Sequence, residues 1–116
     1  MKYMGSKRRL WKHIAPFILS NRSNEQYYVE PFCGGCNSIC EVDGLRIASD
    51  INPFLISMFR GLIDGNKVTF DIDKPYYDKV RWSYRNGDNK FSDFEKGWVG
   101  YMASYNGRFF DGGYSV

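Results

Sequence analysis

The chain has 116 residues, of which 43% are hydrophobic and 25% charged, so it has the size and composition of one ordinary globular domain. Its net charge of +3 favours an anionic partner without requiring one. No apolar run approaches the ~20 residues that cross a bilayer, and the N-terminus lacks the apolar core of a signal peptide. A cytoplasmic protein with no membrane partner is therefore predicted.

The first 50 residues alternate between helical and strand-like patterns. Apolar residues at helical spacing predict an amphipathic helix over 6–19, and β-prone runs predict short strands over 26–30 and 45–48. A brief helix is predicted between the strands, over 37–42. Strand, glycine-containing loop, helix and strand in this order is how a doubly wound α/β sheet begins.

Further helices are predicted after the second strand. Asn52 is a favourable N-cap and Pro53 a favourable first helical residue, so a helix is expected from residue 53 to about Asp64. Two more helices are predicted over 75–85 and 94–103. The tail that follows is rich in glycine and aromatic residues, which predicts an irregular loop.

The clearest chemical pattern is a glycine loop after the first strand and an acidic residue after the second. The loop lies in the segment EPFCGGC, residues 30–36, and Asp50 follows Gly34 by 16 residues. In nucleotide-binding folds, a carboxylate about 20 residues beyond a glycine loop typically accepts hydrogen bonds from ribose hydroxyls. The loop lacks the G-x-G-x-x-G pattern, which favours a nucleoside-type ligand without phosphates, such as S-adenosylmethionine. A purely structural turn is the alternative interpretation.

Three ordered segments resemble the Dam-type DNA adenine methyltransferases: KYMGSK at residues 2–7, EPFCGG at residues 30–35 and SDIN at residues 49–52. The resemblance implies part of a Rossmann-like, S-adenosylmethionine-dependent methyltransferase fold of the α/β class. It also implies a site-specific enzyme, of the kind used in restriction–modification, that transfers a methyl group to N6 of adenine in double-stranded DNA.

The same resemblance implies roles for individual residues in methyl-donor binding. Lys7 would pair with the carboxylate of the methionine part, and Asp50 would hold the ribose, with Ile51 against the adenine. Glu30, Phe32 and Gly34 would shape the loop beneath the amino acid part. The residues expected to bind S-adenosylmethionine are Tyr3, Met4, Gly5, Lys7, Glu30, Phe32, Gly34, Asp50 and Ile51.

The tail SYNGRF, residues 104–109, resembles the Y-N-G segment that these enzymes use near DNA. The resemblance implies that Tyr105 and Asn106 lie at the DNA and that Arg108 contacts a phosphate or a base. Residues 1–70 are accordingly expected to form the S-adenosylmethionine-binding part, and residues 71–116 the start of a DNA-recognition region.

The catalytic Asp-Pro-Pro-Tyr tetrad of this family is absent from the 116 residues, so no catalytic residue is assigned. The nearest match is Asp73-Lys74-Pro75-Tyr76, in which Lys74 interrupts the tetrad and Pro75 favours a helix start. In the family the tetrad follows the Y-N-G segment, which would place it beyond Val116. The chain is therefore expected to be a truncated portion that is inactive alone.

Two other classes of function remain open. Cys33, Cys36 and Cys40 have the spacing of metal ligands, but a structural zinc site needs four ligands and the sole histidine, His13, has no partner in the sequence. No metal is therefore expected, and reduced thiols packing a tight loop are favoured. The second alternative is a non-catalytic remnant that binds a nucleoside or DNA. The sequence predicts no oligomeric state.

Overall fold

The computed structural model describes residues 1–115, and their packing separates them into two units. The first, here called the strand unit, is Gly5–Ile51. The second, the helical unit, combines Met1–Met4 with the chain from residue 52 onward. This division concerns contacts and not function, so the functional boundary at residue 70 remains a prediction.

The strand unit contains helix α1 (Arg8–Leu19) and strands β1 (Tyr28–Glu30) and β2 (Arg46–Ala48). The strands are parallel, with Val29 opposite Ile47 and Glu30 opposite Ala48. Both predicted strands are thus confirmed in shorter form. Two parallel strands together with helices are compatible with the predicted α/β class, whereas the predicted partial Rossmann-like fold remains a prediction.

The brief helix predicted over 37–42 is confirmed in shorter form, as a single 3₁₀ turn, Ile39–Glu41. The Arg46 guanidinium donates hydrogen bonds to the carbonyl oxygens of Ile39 (3.0 Å) and Val42 (2.7 Å). These bonds tie both ends of the turn to β2. The short crossover therefore satisfies its carbonyls through a side chain instead of through a longer helix.

The first predicted helix is confirmed from Arg8 to Leu19, but its apolar face is mostly exposed. Trp11 and Ile14 are half-buried, whereas Phe17 is 84% exposed. No residue of α1 is buried. The predicted amphipathic face is therefore only partly covered by the described residues.

The helical unit contains α2 (Pro53–Ile63), α3 (Lys74–Asn86) and α4 (Asp93–Met102). Asn52 caps α2 as expected, since its Oδ1 accepts from the backbone N–H groups of Phe54 (3.0 Å) and Leu55 (3.3 Å). The apolar faces of the three helices enclose the core. Its buried residues are Leu55, Met58, Ile72, Tyr77, Val80, Val99, Tyr101, Ala103 and Phe110. No helix in residues 1–115 is both long and apolar enough to cross a membrane.

Helices α2 and α4 approach so closely that two glycines are required at the contact. A Cβ on Gly97 would overlap the Phe54 carbonyl oxygen, which is fixed backbone. A Cβ on Gly61 would overlap the Phe94 ring, which belongs to a side chain that can move. An added Cβ could therefore be accommodated at Gly61 by movement of a side chain, but at Gly97 only by movement of the backbone.

We expect Gly97→Ala to lower the free energy of unfolding by about 1–3 kcal/mol, because overpacking against backbone forces the helices apart. Gly61→Ala is the matched control. It should have a smaller effect, since the Phe94 ring can turn away and alanine gains roughly 0.5–1 kcal/mol over glycine within a helix. Urea unfolding of both variants measures the difference. Equal losses would contradict the assigned backbone overlap.

Candidate functional site

The glycine loop (residues 31–36) and Asp50 meet at the carboxyl ends of β1 and β2. The Gly34 N–H donates to Asp50 Oδ2 at 3.0 Å. Backbone hydrogen bonds from Ser49 N to Glu30 O (3.0 Å) and from Cys33 N to Ser49 O (2.9 Å) continue the pairing beyond the strands. The carboxylate therefore lies directly at the glycine loop, at the edge where open α/β sheets bind ligands.

The glycine loop depends on left-handed backbone at two positions. Gly34 has φ +48 and Cys36 has φ +56, and the turn closes with a hydrogen bond from Cys36 N to Cys33 O of 2.8 Å. This region is easy for glycine and unfavourable for a residue with a Cβ. Cys36 stands where the resembled family usually has glycine, and the loop adopts a left-handed conformation there nonetheless.

Glu30 and Lys7 bring opposite charges to the base of the glycine loop. Burial raises the pKa of the Glu30 carboxyl, whereas an Ile39 backbone hydrogen bond and the charge of Lys7 lower it. Glu30 Oε2 is buried and accepts no hydrogen bond from the described residues. A buried carboxylate oxygen without a donor is costly, so this atom is suited to receive one from a ligand.

The KYMGSK segment is tied through Ser6 to Asn37, the residue that directly follows the glycine loop. Ser6 Oγ accepts from Asn37 Nδ2 at 3.0 Å and from the Arg8 N–H at 3.3 Å. Gly5 and Lys7 flank this serine, and both are exposed. Within the strand unit, residues from all three sequence segments therefore lie around one loop.

Large apolar side chains flank the same loop without being covered. Phe32, within the loop, is 81% exposed, and Ile51, next to Asp50, is 92% exposed. Met4 belongs to the helical unit, and its side chain is exposed there. Apolar and aromatic lining is usual in pockets for small molecules. These side chains are accessible, as cofactor contact would require.

Tyr3 packs in the helical unit on a residue that the sequence did not single out. Its ring stacks on Tyr101 with a centroid distance of 5.8 Å. The Tyr101 hydroxyl accepts a hydrogen bond of 2.8 Å from Asn52 Nδ2. The hydroxyl of a buried tyrosine usually has a hydrogen-bond partner. Which residue provides that partner depends on the tertiary structure.

The predicted DNA-contacting residues lie in the Y-N-G-R segment (residues 105–108), which begins with the 3₁₀ turn Tyr105–Gly107. Tyr105 is 53% exposed, and Asn106 and Arg108 are exposed. A Cβ on Gly107 would overlap the Lys2 carbonyl oxygen, so the N-terminal residues pack directly against this segment. The glycine is needed for that approach.

The Asp73–Tyr76 segment is a helix start, as Pro75 indicated. Asp73 Oδ1 accepts from the Tyr76 N–H at 2.8 Å and so caps α3. The Tyr76 hydroxyl donates to Glu95, and burial together with that carboxylate raises the pKa of Tyr76. These groups serve the helix terminus and the packing of α3 on α4.

The three cysteines are free thiols: Cys33 is buried, Cys36 half-buried and Cys40 exposed. Burial raises the pKa of Cys36 to about 12, which keeps this thiol protonated at neutral pH. Within residues 1–115, no three or more His, Cys, Asp or Glu side chains are grouped to hold a metal ion. The absence of a metal remains a prediction.

The family model of the D12 class N6 adenine-specific DNA methyltransferases matches residues 3–101. No curated protein sequence matches the chain. The matched range contains most of the KYMGSK segment, the glycine loop, Asp50 and helices α2 to α4 almost to the end of α4. The chain therefore belongs to the D12 class N6 adenine-specific DNA methyltransferase family.

Proposed function

We propose that the strand unit binds S-adenosylmethionine at the glycine loop and that the Y-N-G-R segment contacts double-stranded DNA. The observation that carries the proposal is the hydrogen bond from Gly34 N–H to Asp50 Oδ2, which holds a carboxylate at the carboxyl ends of parallel strands. The reaction of the family is methyl transfer to adenine N6.

The ribose is assigned to Asp50. A carboxylate has about four lone-pair sites, so Asp50 can accept from Gly34 and from ribose hydroxyls together. The loop has neither the G-x-G-x-x-G nor the Walker pattern that cradles phosphates. These features favour a nucleoside without phosphates over a dinucleotide or ATP.

The amino acid part is assigned to Glu30 and Lys7. The methionine part of S-adenosylmethionine has an ammonium group and a carboxylate. Glu30 Oε2 lacks a donor among residues 1–115, and the Lys7 ammonium lies near enough to lower the pKa of Glu30. A carboxylate and an ammonium side by side are complementary to a zwitterion, because each charge meets its opposite.

Calorimetric titration of the chain tests the cofactor assignment. We expect one site for S-adenosylmethionine, competition by S-adenosylhomocysteine, and much weaker binding of ATP, since the loop offers no phosphate cradle. Heat changes for ATP alone, or no binding of S-adenosylmethionine and S-adenosylhomocysteine, would contradict the proposal.

Arg108 is expected to contribute to DNA affinity through a phosphate or base contact. Arg108→Ala should weaken binding and, if the contact is to phosphate, lower the salt slope of log K by about 1. Arg60→Ala on α2 is a control that removes the same exposed charge from another surface. Fluorescence anisotropy with labelled duplex DNA measures both. Equal effects of the two substitutions would indicate general charge attraction instead of an assigned contact.

A second function, binding without catalysis, is favoured for this polypeptide by one observation. Residues 1–116 contain no Asp-Pro-Pro-Tyr, and the nearest match, residues 73–76, starts α3. Cofactor and DNA binding do not require the tetrad, whereas orienting the adenine amino group does. The polypeptide by itself is therefore proposed to bind both ligands without transferring a methyl group.

A further inference from the structure

We propose that Ser104 is a positioning residue that holds the Y-N-G-R segment in its DNA-contacting conformation, an inference that rests on the DNA contact proposed above. Ser104 directly precedes the segment and is 4% exposed. Its side chain therefore acts from the core and does not touch DNA.

The chain around the segment is strained and needs support. Asn106 has φ +53, Phe109 has φ +21 and Phe110 has φ +62. Positive φ is uncommon for residues other than glycine and is an outlier for bulky ones. Such conformations persist only where the surroundings fix them, and they cluster at binding and catalytic sites.

Ser104 supplies this support through two buried hydrogen bonds. Its Oγ accepts from the Phe110 N–H at 2.9 Å and is 3.0 Å from the Tyr77 hydroxyl. Tyr77 is fully buried on α3, and its ring packs on Phe110 with a centroid distance of 5.4 Å. One hydroxyl therefore links the start of the loop to one of its left-handed residues and to the core.

Backbone bonds close the base of the loop around this hydroxyl. Tyr105 N donates to Gly113 O and Ser115 N to Ala103 O, each at 2.9 Å. The Phe109 ring fills the interior, stacked on Phe54 and packed on Tyr101. Interior positions are thus filled, and Tyr105, Asn106 and Arg108 are left at the surface.

A loop fixed before binding needs little ordering when DNA arrives. Without the Ser104 hydroxyl, the buried Phe110 N–H loses its acceptor and the left-handed residues can relax. The apparent affinity for DNA then falls in proportion to the fraction of molecules that still have the binding-competent conformation. We expect Ser104→Ala to weaken DNA binding by about five- to tenfold, the size that one or two lost hydrogen bonds produce.

Ser83→Ala is the matched control. Ser83 is also a fully buried serine of the helical unit, and its hydroxyl donates to Asp88 in the turn between α3 and α4. Both substitutions remove one buried hydroxyl, so similar losses of unfolding free energy are expected. Only Ser104→Ala should speed amide exchange at Phe110 and weaken DNA binding, while S-adenosylmethionine affinity stays unchanged in both.

Tyr77→Phe is a second variant that keeps the ring and removes its hydroxyl, and it should reproduce the Ser104→Ala effect in part. If Arg108→Ala weakens DNA binding while Ser104→Ala and Tyr77→Phe do not, the positioning role is wrong and the proposed DNA contact stands. If none of the three weakens binding, the DNA contact fails, and the positioning role fails with it.

Discussion

A polypeptide of residues 1–116 is expected to transfer no detectable methyl group from S-adenosylmethionine to DNA. Methyl transfer requires the lone pair of the adenine amino group to point at the sulfonium methyl group. In the resembled family the Asp-Pro-Pro-Tyr tetrad provides that orientation, and residues 1–116 lack it. Orientation of this kind supplies about 7–11 kcal/mol of barrier lowering. Because each 1.36 kcal/mol is about tenfold in rate, the residual rate should be below detection.

Transfer of labelled methyl groups to adenine-containing duplex DNA measures this directly. A longer polypeptide that continues these residues through an Asp-Pro-Pro-Tyr segment is the positive control and is expected to methylate. Methylation by residues 1–116 alone would contradict the prediction. Asp73→Ala and Tyr76→Phe would then be the first variants to test. In the structure Asp73 caps α3, and the Tyr76 hydroxyl donates to Glu95.

Replacement of Asp50 by alanine is expected to weaken S-adenosylmethionine binding by at least tenfold. Hydrogen bonds to a charged acceptor contribute about 1.5–3 kcal/mol each, and Asp50 is proposed to accept from the ribose. The substitution also removes the hydrogen-bond acceptor of the Gly34 N–H, and Gly34 is a buried residue. Loss of the ribose contact and loosening of the glycine loop therefore act in the same direction.

Two controls separate these effects in the calorimetric titration. Asp43→Ala removes an exposed carboxylate from the turn before β2 and changes the net charge equally. Asp50→Asn keeps an oxygen that can accept from Gly34 but loses the charge, so an intermediate affinity is expected. Unchanged affinity in Asp50→Ala, or an equal loss in Asp43→Ala, would show that Asp50 does not hold the ligand.

Features set by short-range chemistry could be predicted from the sequence. Asn52 before Pro53 predicted the cap of α2, and Pro75 predicted the start of α3, because a side-chain acceptor and a fixed φ act within a few residues. The sequence also predicted the glycine loop after the first strand and Asp50 after the second, and in the structure the Gly34 N–H donates to Asp50 Oδ2. Each follows one of two adjacent parallel strands, and the ends of such strands lie together.

Features that depend on distant partners could not be predicted. The crossover after the glycine loop is a 3₁₀ turn because Arg46, on the next strand, satisfies its carbonyls. Tyr101 and Ser104 were not singled out, since a buried tyrosine or serine in a helical or loop pattern looks the same whatever its partner. Their importance lies in contacts with Tyr3, Asn52, Phe110 and Tyr77.

The central claim is that the glycine loop and Asp50 bind S-adenosylmethionine, and an amide NMR titration tests it most directly. As the ligand is added, the backbone amide signals of Gly34, Asp50 and Ile51 should shift most and saturate together, while those of α3 stay in place. Saturable binding that leaves Gly34 and Asp50 unmoved, with the largest shifts in α3 or α4, would contradict the account.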